Sequence, residues 1–414
     1  PIMARLKLFE KVGVELEYMI VDAESLDVLP IADKVLRGPA DEVVNDIERG
    51  PVAWSNEIVN HVLEVKTNGP AQAADAALAR EFQQTVRDLN GILAQHGARL
   101  LPTAAHPWMD PLRETILWPH DYSVVYQAYD RIFGCQGHGW SNLQSVHINL
   151  PFANDDEFGR LHAAIRLLLP ILPAIAASSP IIEGAPTGFL DTRLEYYRTN
   201  SIRIPSITGG VIPEPVFTEA QYRKEIYERT WADIAPHEPD GVLQDEFLNS
   251  RGAIARFGRG AIEIRVLDLQ ECPAQDIAVV SAIVAVLKAL VSEQFCTYKE
   301  QRAMASEPLR ELFLDCVRNG ENATMKQPAI LRALGMEWAP NHRVRDVWMN
   351  LMDQSDFAAG VDYEQHPLHA ILQHGTLARR ILKARGEDPS RDRLMAIYRR
   401  LADCLHHGET FLGI

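Results

Sequence analysis

Cysteine is scarce in this 414-residue chain. Cys135, Cys272, Cys296, Cys316 and Cys404 are odd in number, widely spaced and form no CxxC pair. That fits reduced thiols in a cytosol better than a disulfide framework. No GxxxxGK(S/T) loop, no GxGxxG after a strand and no GxSxG elbow occurs, so the common nucleotide cradles and the hydrolase nucleophile turn are missing. Basic residues are in deficit, with 41 Lys and Arg against 56 Asp and Glu and a formal net charge of −15. Nucleic acid and anionic membranes need a basic surface, so both are set aside as partners. The apolar run Leu161 to Ile182 is interrupted by Arg166, Pro170 and Pro173, which favours a buried helix over a membrane span. Pro1 to Glu10 carries Arg5 and Lys7 but no apolar signal core, and a soluble, cytoplasmic protein is expected.

What is present is a repeated alternation. In Ala261–Asp268, Ile262, Ile264 and Val266 fall on one face of a strand, Glu263 and Arg265 on the other, the period of a half-buried strand. Three more segments repeat it. Val14, Leu16 and Tyr18 alternate with Glu15 and Glu17; Leu63 and Val65 flank Glu64; Val146, Ile148 and Leu150 alternate with Ser145, His147 and Asn149. One such pair is ordinarily a solvated strand face. Four together predict one sheet with an apolar side and a side carrying Glu15, Glu17, Glu64, Glu263, His147 and Arg265. Carboxylates crowded on one face repel unless cations neutralise them, so the acidic side is expected to hold divalent metal. Hard ions such as Mg²⁺ take oxygen ligands and share substrate phosphates, and a histidine in the shell suits Mn²⁺ better.

Along the chain, 24–50 reads as polar and irregular with a short helix near Ala32–Arg37. Glu57 and Glu64 have opposite parity on a continuous strand, so a bend must intervene if both face one site. Asn68-Gly69-Pro70 is expected to open a long helix, Ala71 to His96, stopped by Gly97,. Arg99–Ala105 reads as a strand. Asn154 with Glu157 resembles a capping box. Ser178–Pro215 reads as a long ordered loop whose Phe189, Arg193, Tyr196, Tyr197, Arg198 and Arg203 favour a functional role,. Glu219–Ile234 is expected to be helical, Gly252–Phe257 to form a hairpin with the 261–268 strand, and Pro273 to start a buried helix,. From Ser306 onward the pattern is helical. His366, His369, His374, His406 and His407 lie there at no zinc spacing and read as solvated. No linker divides the chain, so 1–414 is taken as one catalytic domain, with the sheet in 1–300 and a helical extension over 301–414. Arginine forks match phosphate and carboxylate geometry, which makes Arg265, Arg193 and Arg198 anion-binding candidates.

These residues resemble a family. Val12-Gly-Val-Glu-Leu-Glu-Tyr is similar to the GxExE strand that opens the glutamate-cysteine ligases and their carboxylate-amine ligase relatives. Glu57 with Leu63-Glu64, His106-Pro107, Ser145-Val146-His147-Ile148, the loop Ser179 to Arg193, and Arg256-Phe257 with Ala261 to Asp268 follow in the same order, covering roughly residues 10 to 290. The resemblance implies an α+β, glutamine synthetase-like fold: a curved, largely antiparallel sheet forming a funnel, with helices on its outer face. It implies ATP and Mg²⁺, with Mn²⁺ as the alternative ion. It implies Glu15, Glu17, Glu57, Glu64, His147 and Glu263 as metal ligands and Arg265 and Arg193 as catalytic. Arg193, Arg198, Arg265, His106 and Asn149 would bind ATP or substrate. The family often has a further acid at the place of Asn60, which touches either a metal or the amine. The implied substrates are glutamate, ATP and an amine or amino acid such as cysteine; a homo-oligomer stays open. A guanidino kinase-like phosphotransferase and a non-catalytic nucleotide- or metal-binding relative are the alternatives.

Overall fold

The computed structural model describes residues 5–358 and 365–414. Its centre is an eight-stranded antiparallel sheet. The strands are β1 (Gly13–Asp22), β2 (Asp46–Arg49), β3 (Val52–Asn56), β4 (Val62–Thr67), β5 (Ala98–Leu101), β6 (Ser145–Pro151), β9 (Ala253–Arg256) and β10 (Ala261–Asp268), while β7 (Ile181–Ile182) and β8 (Ala185–Pro186) form a separate two-stranded ribbon. The order is β2-β3-β4-β1-β6-β10-β9. Along one edge β1 pairs first with β6 and then with β5.

The alternation resolves as expected. Val14, Leu16, Tyr18, Leu63, Val65, Val146, Ile148, Leu150, Ile262 and Ile264 are all buried in the main core. Helices Ala76–Ala94, Asp155–Leu168 and Pro273–Val291 supply its other side through Phe82, Leu89, Leu161, Ile165, Val280 and Ile283. Pro273–Val291 is long and apolar enough to cross a membrane, but it is a core helix with 67% of its apolar window buried in the protein. Several helices after residue 301 join the same core through Leu309, Phe313, Val347, Trp348 and Leu368.

Several boundaries differ from the sequence reading. Ala71 pairs with Val12 through two backbone hydrogen bonds. The long helix therefore starts at Ala76, where the Asp75 side chain accepts from the N–H of Ala77 and Leu78. The 24–50 stretch contains β2, and β3 was not foreseen because it is buried at every position and shows no alternation. Asn154 caps its helix through Glu157 N–H, but the Glu157 carboxylate turns back to Ala153 and Leu8 instead of closing a capping box. The 178–215 loop includes β7, β8 and a short helix, Thr192–Tyr197. In β10 the register shifts between Ile264 and Leu267, so alternation stops there and Asp268 points into the interior. His366 is no solvated histidine: it caps helix Pro367–His374 and packs edge-on against Phe357.

Met19 and Val21 continue the face that carries Glu15 and Glu17. They are buried under Leu377, Ile381, Leu394, Ile397, Tyr398 and Leu401 in a second cluster. Helices Leu377–Arg385 and Arg391–His407 thus close one end of the polar face, and only its other end is free for chemistry.

Candidate active site

Strand register builds the site. Glu17 lies opposite Glu64, Glu15 opposite both Lys66 and His147, Ser55 opposite Glu64, and Asn149 opposite Glu263. Like charges directly opposite destabilise a sheet, so the Glu17–Glu64 rung marks a face assembled for something other than stability. Glu57 joins from the turn after β3, so the bend inferred from parity is a change of strand. Among the described residues, two sets can offer one ligand atom each with all atoms within 4.8 Å: Glu15, Glu64 and His147, and Glu17, Glu57 and Glu64. Glu64 is common to both.

The electrostatics are those of a face that would favour a cation. Burial and the charges of Glu17 and Glu64 push the Glu57 carboxyl well above its ordinary range. Burial and Glu15 raise Glu64 to about 7, against the opposing pull of Lys66. Burial alone would lower His147. Its hydrogen bond to Glu15 and the charges of Glu17 and Glu263 reverse this, leaving it raised to about 8. The ring's Nδ1 is 2.9 Å from Glu15 Oε2 and its Nε2 is 2.8 Å from Ser145 Oγ. Oxygen donors of this density with one imidazole fit a divalent cation of the Mg²⁺ or Mn²⁺ type.

Beside the carboxylates stand two arginines. Arg265 donates to Glu263 Oε1 at 2.6 Å and Arg256 to Oε2 at 3.1 Å. Burial would raise the Glu263 carboxyl, yet Arg265, His147 and Arg256 hold it well below the usual carboxylate range. Glu263 is 2% exposed, stands 3.9 Å from His147 Nδ1 and belongs to neither ligand set. Two guanidiniums on one carboxylate leave a net positive charge next to the acidic patch, an arrangement suited to an anion that also bridges to metal.

The other expected residues are placed differently. Asn149 is on the acidic face, its amide 3.3 Å from Glu15 Oε1. Arg193 is buried beneath, with Nε donating to Asp268 Oδ1 at 2.5 Å and its terminal nitrogens 3.4 and 3.5 Å from the Arg265 carbonyl; it braces the backbone that carries Arg265. Arg198, just past helix Thr192–Tyr197, is engaged by Glu195 in a two-pronged pair. His106 is a correction. It is buried, its Nε2 bonds Leu26 O at 2.7 Å and its Nδ1 accepts from Trp108 N–H, so neither nitrogen is left for ATP or substrate. Asn60 likewise spends its amide on Pro30 O and Asp33 N–H.

Three neighbours went unassigned from sequence. Lys66 sits 2.8 Å from Asp46 and 3.4 Å from Glu64, and its shared parity with Glu64 was the available signal. Arg256 was visible in the family-like Arg256-Phe257 pair and as the hairpin partner of β10, but carried no site role. Tyr197 donates its hydroxyl to Ser250 O at 2.7 Å and, together with Glu263, helps hold the Arg265 guanidinium in its charged form, which no spacing could reveal. A cavity of about 960 Å³ lined by Val12, Leu150, Ser281 and Lys288 shares no residue with this site.

Known proteins share this sequence pattern and fold. A protein of Archaeoglobus fulgidus described as uncharacterized is 32% identical over 97% of this chain and 100% of its own length. A putative glutamate–cysteine ligase 2-1 of Nocardioides is 24% identical over 78% of each. The glutamate–cysteine ligase of Francisella tularensis, solved in complex with AMP, superposes with a TM-score of 0.59 at 14% identity over 97% of this chain and 90% of that one. A bifunctional glutathione synthetase of Pasteurella multocida gives 0.61 at 15% identity, over 97% of this chain but 53% of that longer one. These superpositions establish an α+β fold with a large antiparallel sheet. Residues 11–399, spanning every strand of the acidic face, match glutamate-cysteine ligase family 2, and the chain belongs to that family of carboxylate-amine ligases.

Proposed function

We propose that the chain is an ATP-dependent carbon–nitrogen ligase that activates the side-chain carboxylate of glutamate and passes it to an amine such as cysteine. The carboxylate oxygen would attack the γ-phosphorus of ATP, giving an acyl phosphate and ADP. The amine nitrogen would then add to the carbonyl carbon, expelling phosphate and leaving a γ-glutamyl amide. The observation that carries this reading is the division of one sheet face into four carboxylates, Glu15, Glu17, Glu57 and Glu64, and two arginines, Arg256 and Arg265. The relative solved with AMP supports a nucleotide as the phosphoryl donor.

Each residue then has a task. Glu15, Glu17, Glu57, Glu64 and His147 would hold Mg²⁺ or Mn²⁺, and the ion would neutralise phosphate charge and orient the phosphoryl group. Arg265 contacts the transferring phosphoryl group, held in line by Glu263 and stiffened from below by Arg193. Arg256 supplies a second guanidinium, and Asn149 a neutral donor. Glu263 meets a metal only if an incoming anion draws the arginines off it. Such a site works by positioning and charge stabilisation, which supply most of the rate in phosphoryl transfer. A cytoplasmic location belongs to the same reading, since the substrates are small metabolites.

The test is chemical. With glutamate, ATP and Mg²⁺, hydroxylamine should trap the acyl phosphate as a hydroxamate, with stoichiometric ADP. ADP release with arginine or creatine and never with glutamate would move the chain to the guanidino kinases. Nucleotide binding without ADP release for any acceptor would make it a non-catalytic relative.

A further inference from the structure

We propose that Ser145 is a positioning residue of the candidate metal site, one hydroxyl that fixes a donor in each of the two ligand sets. The inference rests on the metal reading of the acidic face. Ser145 begins β6, where the ladder with β1 runs from Gly13↔Asn149 to Leu16↔Val146 and goes no further. At the rung that would come next, the Ser145 N–H turns to the Glu17 side chain, donating to Oε2 at 2.8 Å. Its Oγ donates to the same oxygen at 3.0 Å. With Oε2 taken twice, Oε1 is the oxygen Glu17 has left to offer.

With its own proton given to Glu17, the same Oγ accepts from His147 Nε2–H at 2.8 Å. That bond fixes the ring plane and leaves Nδ1, 2.9 Å from Glu15 Oε2, as the nitrogen that would meet an ion once it loses its proton. Glu17 belongs to one ligand set and His147 to the other. Ser145 is buried and intermediate to both, so water cannot readily replace it. Partners that orient metal ligands commonly change metal affinity by about 10- to 100-fold when removed.

A purely structural role, ending the strand neatly, predicts something else: lower thermal stability with unchanged metal affinity. The experiment is Mn²⁺ titration of the metal-free full chain, followed by the electron paramagnetic resonance signal of free Mn²⁺, for wild type, Ser145→Ala, Ser145→Thr and Ser145→Val. Melting temperatures of the metal-free proteins are measured alongside. Ser145→Ala is expected to weaken Mn²⁺ binding at least about tenfold. Ser145→Thr, which keeps the hydroxyl, should bind like wild type. Ser145→Val has the shape of threonine without the hydroxyl and should bind like the alanine variant. The threonine–valine comparison decides the matter even if the alanine variant fails to fold. Wild-type affinity in the valine or alanine variant, with or without a lowered melting temperature, overturns the role of Ser145 alone. A wild-type chain that binds no Mn²⁺ overturns the metal reading and this inference together.

Discussion

At the residue scale, Glu64 and Arg265 are the side chains on which the site turns. Glu64 is shared by both ligand sets and is raised to about 7 by burial and Glu15. Glu64→Gln should abolish turnover while leaving the metal-free melting temperature unchanged or higher, because a neutral isostere relieves repulsion with Glu17 and Glu57. Near wild-type activity would remove Glu64 from the site. Arg265→Lys keeps charge but loses the planar fork. A contact to the transferring phosphoryl group is worth about 3 kcal/mol, so kcat should fall roughly two orders of magnitude with little change in melting temperature; unchanged kcat would leave a plain Glu263–Arg265 pair. The residue-level reading succeeded where parity carried it, since a side chain's face is a local property. It failed for His106, where a family-like dipeptide was legible but the capture of both ring nitrogens by Leu26 and Trp108 was not. Arg193 and Arg198 show the same limit: spacing reveals a guanidinium, and only folding reveals the carboxylate that occupies it.

At the element scale, what could be read was whatever is exposed on one side only. β1, β4, β6 and β10 alternate because one face meets the core and the other the site. β3 meets protein on both faces, and a buried strand of five residues carries no period. The start of helix Ala76–Ala94 moved because a distant strand residue, Val12, claims Ala71; propensity near Pro70 could not show that. The closing of the acidic face by helix Arg391–His407 was also invisible, since its apolar residues meet Met19, Val21 and Leu101 from the other end of the chain. That packing has a measurable weight. Leu401 is fully buried in the cluster, and Leu401→Ala should cost about 2–5 kcal/mol by transfer and cavity terms. Urea denaturation followed by fluorescence measures it. A loss within experimental error would mean that the helix does not rest on the sheet.

For the whole molecule, the acidic face links metal, protons and folding. In the metal-free protein His147 is raised to about 8, above an unfolded value of about 6.5. Its contribution, on the order of 2 kcal/mol, is fully present below pH about 6.5 and is lost as pH rises through 8. Glu64 acts in the same direction for a different reason. A carboxyl raised to about 7 costs nothing below its unfolded value near 4.3, and its cost grows as pH rises to 7. The metal-free chain should therefore be more stable near pH 6 than near pH 8.5. A divalent ion reverses the balance, since it needs Glu64 ionised and His147 without its extra proton, so binding releases protons and strengthens with pH. Because stabilisation by a ligand follows RT ln(1 + [L]/Kd), a fixed Mn²⁺ concentration should raise the melting temperature more at pH 8.5 than at pH 6. The net charge of −15 adds a background that also favours cation binding, but high salt screens it; the pH dependence of the Mn²⁺ effect should persist in 0.5 M KCl if it belongs to Glu64 and His147. Equal melting shifts at both pH values, or a dependence that vanishes with salt, would mean that the metal sits elsewhere on the molecule.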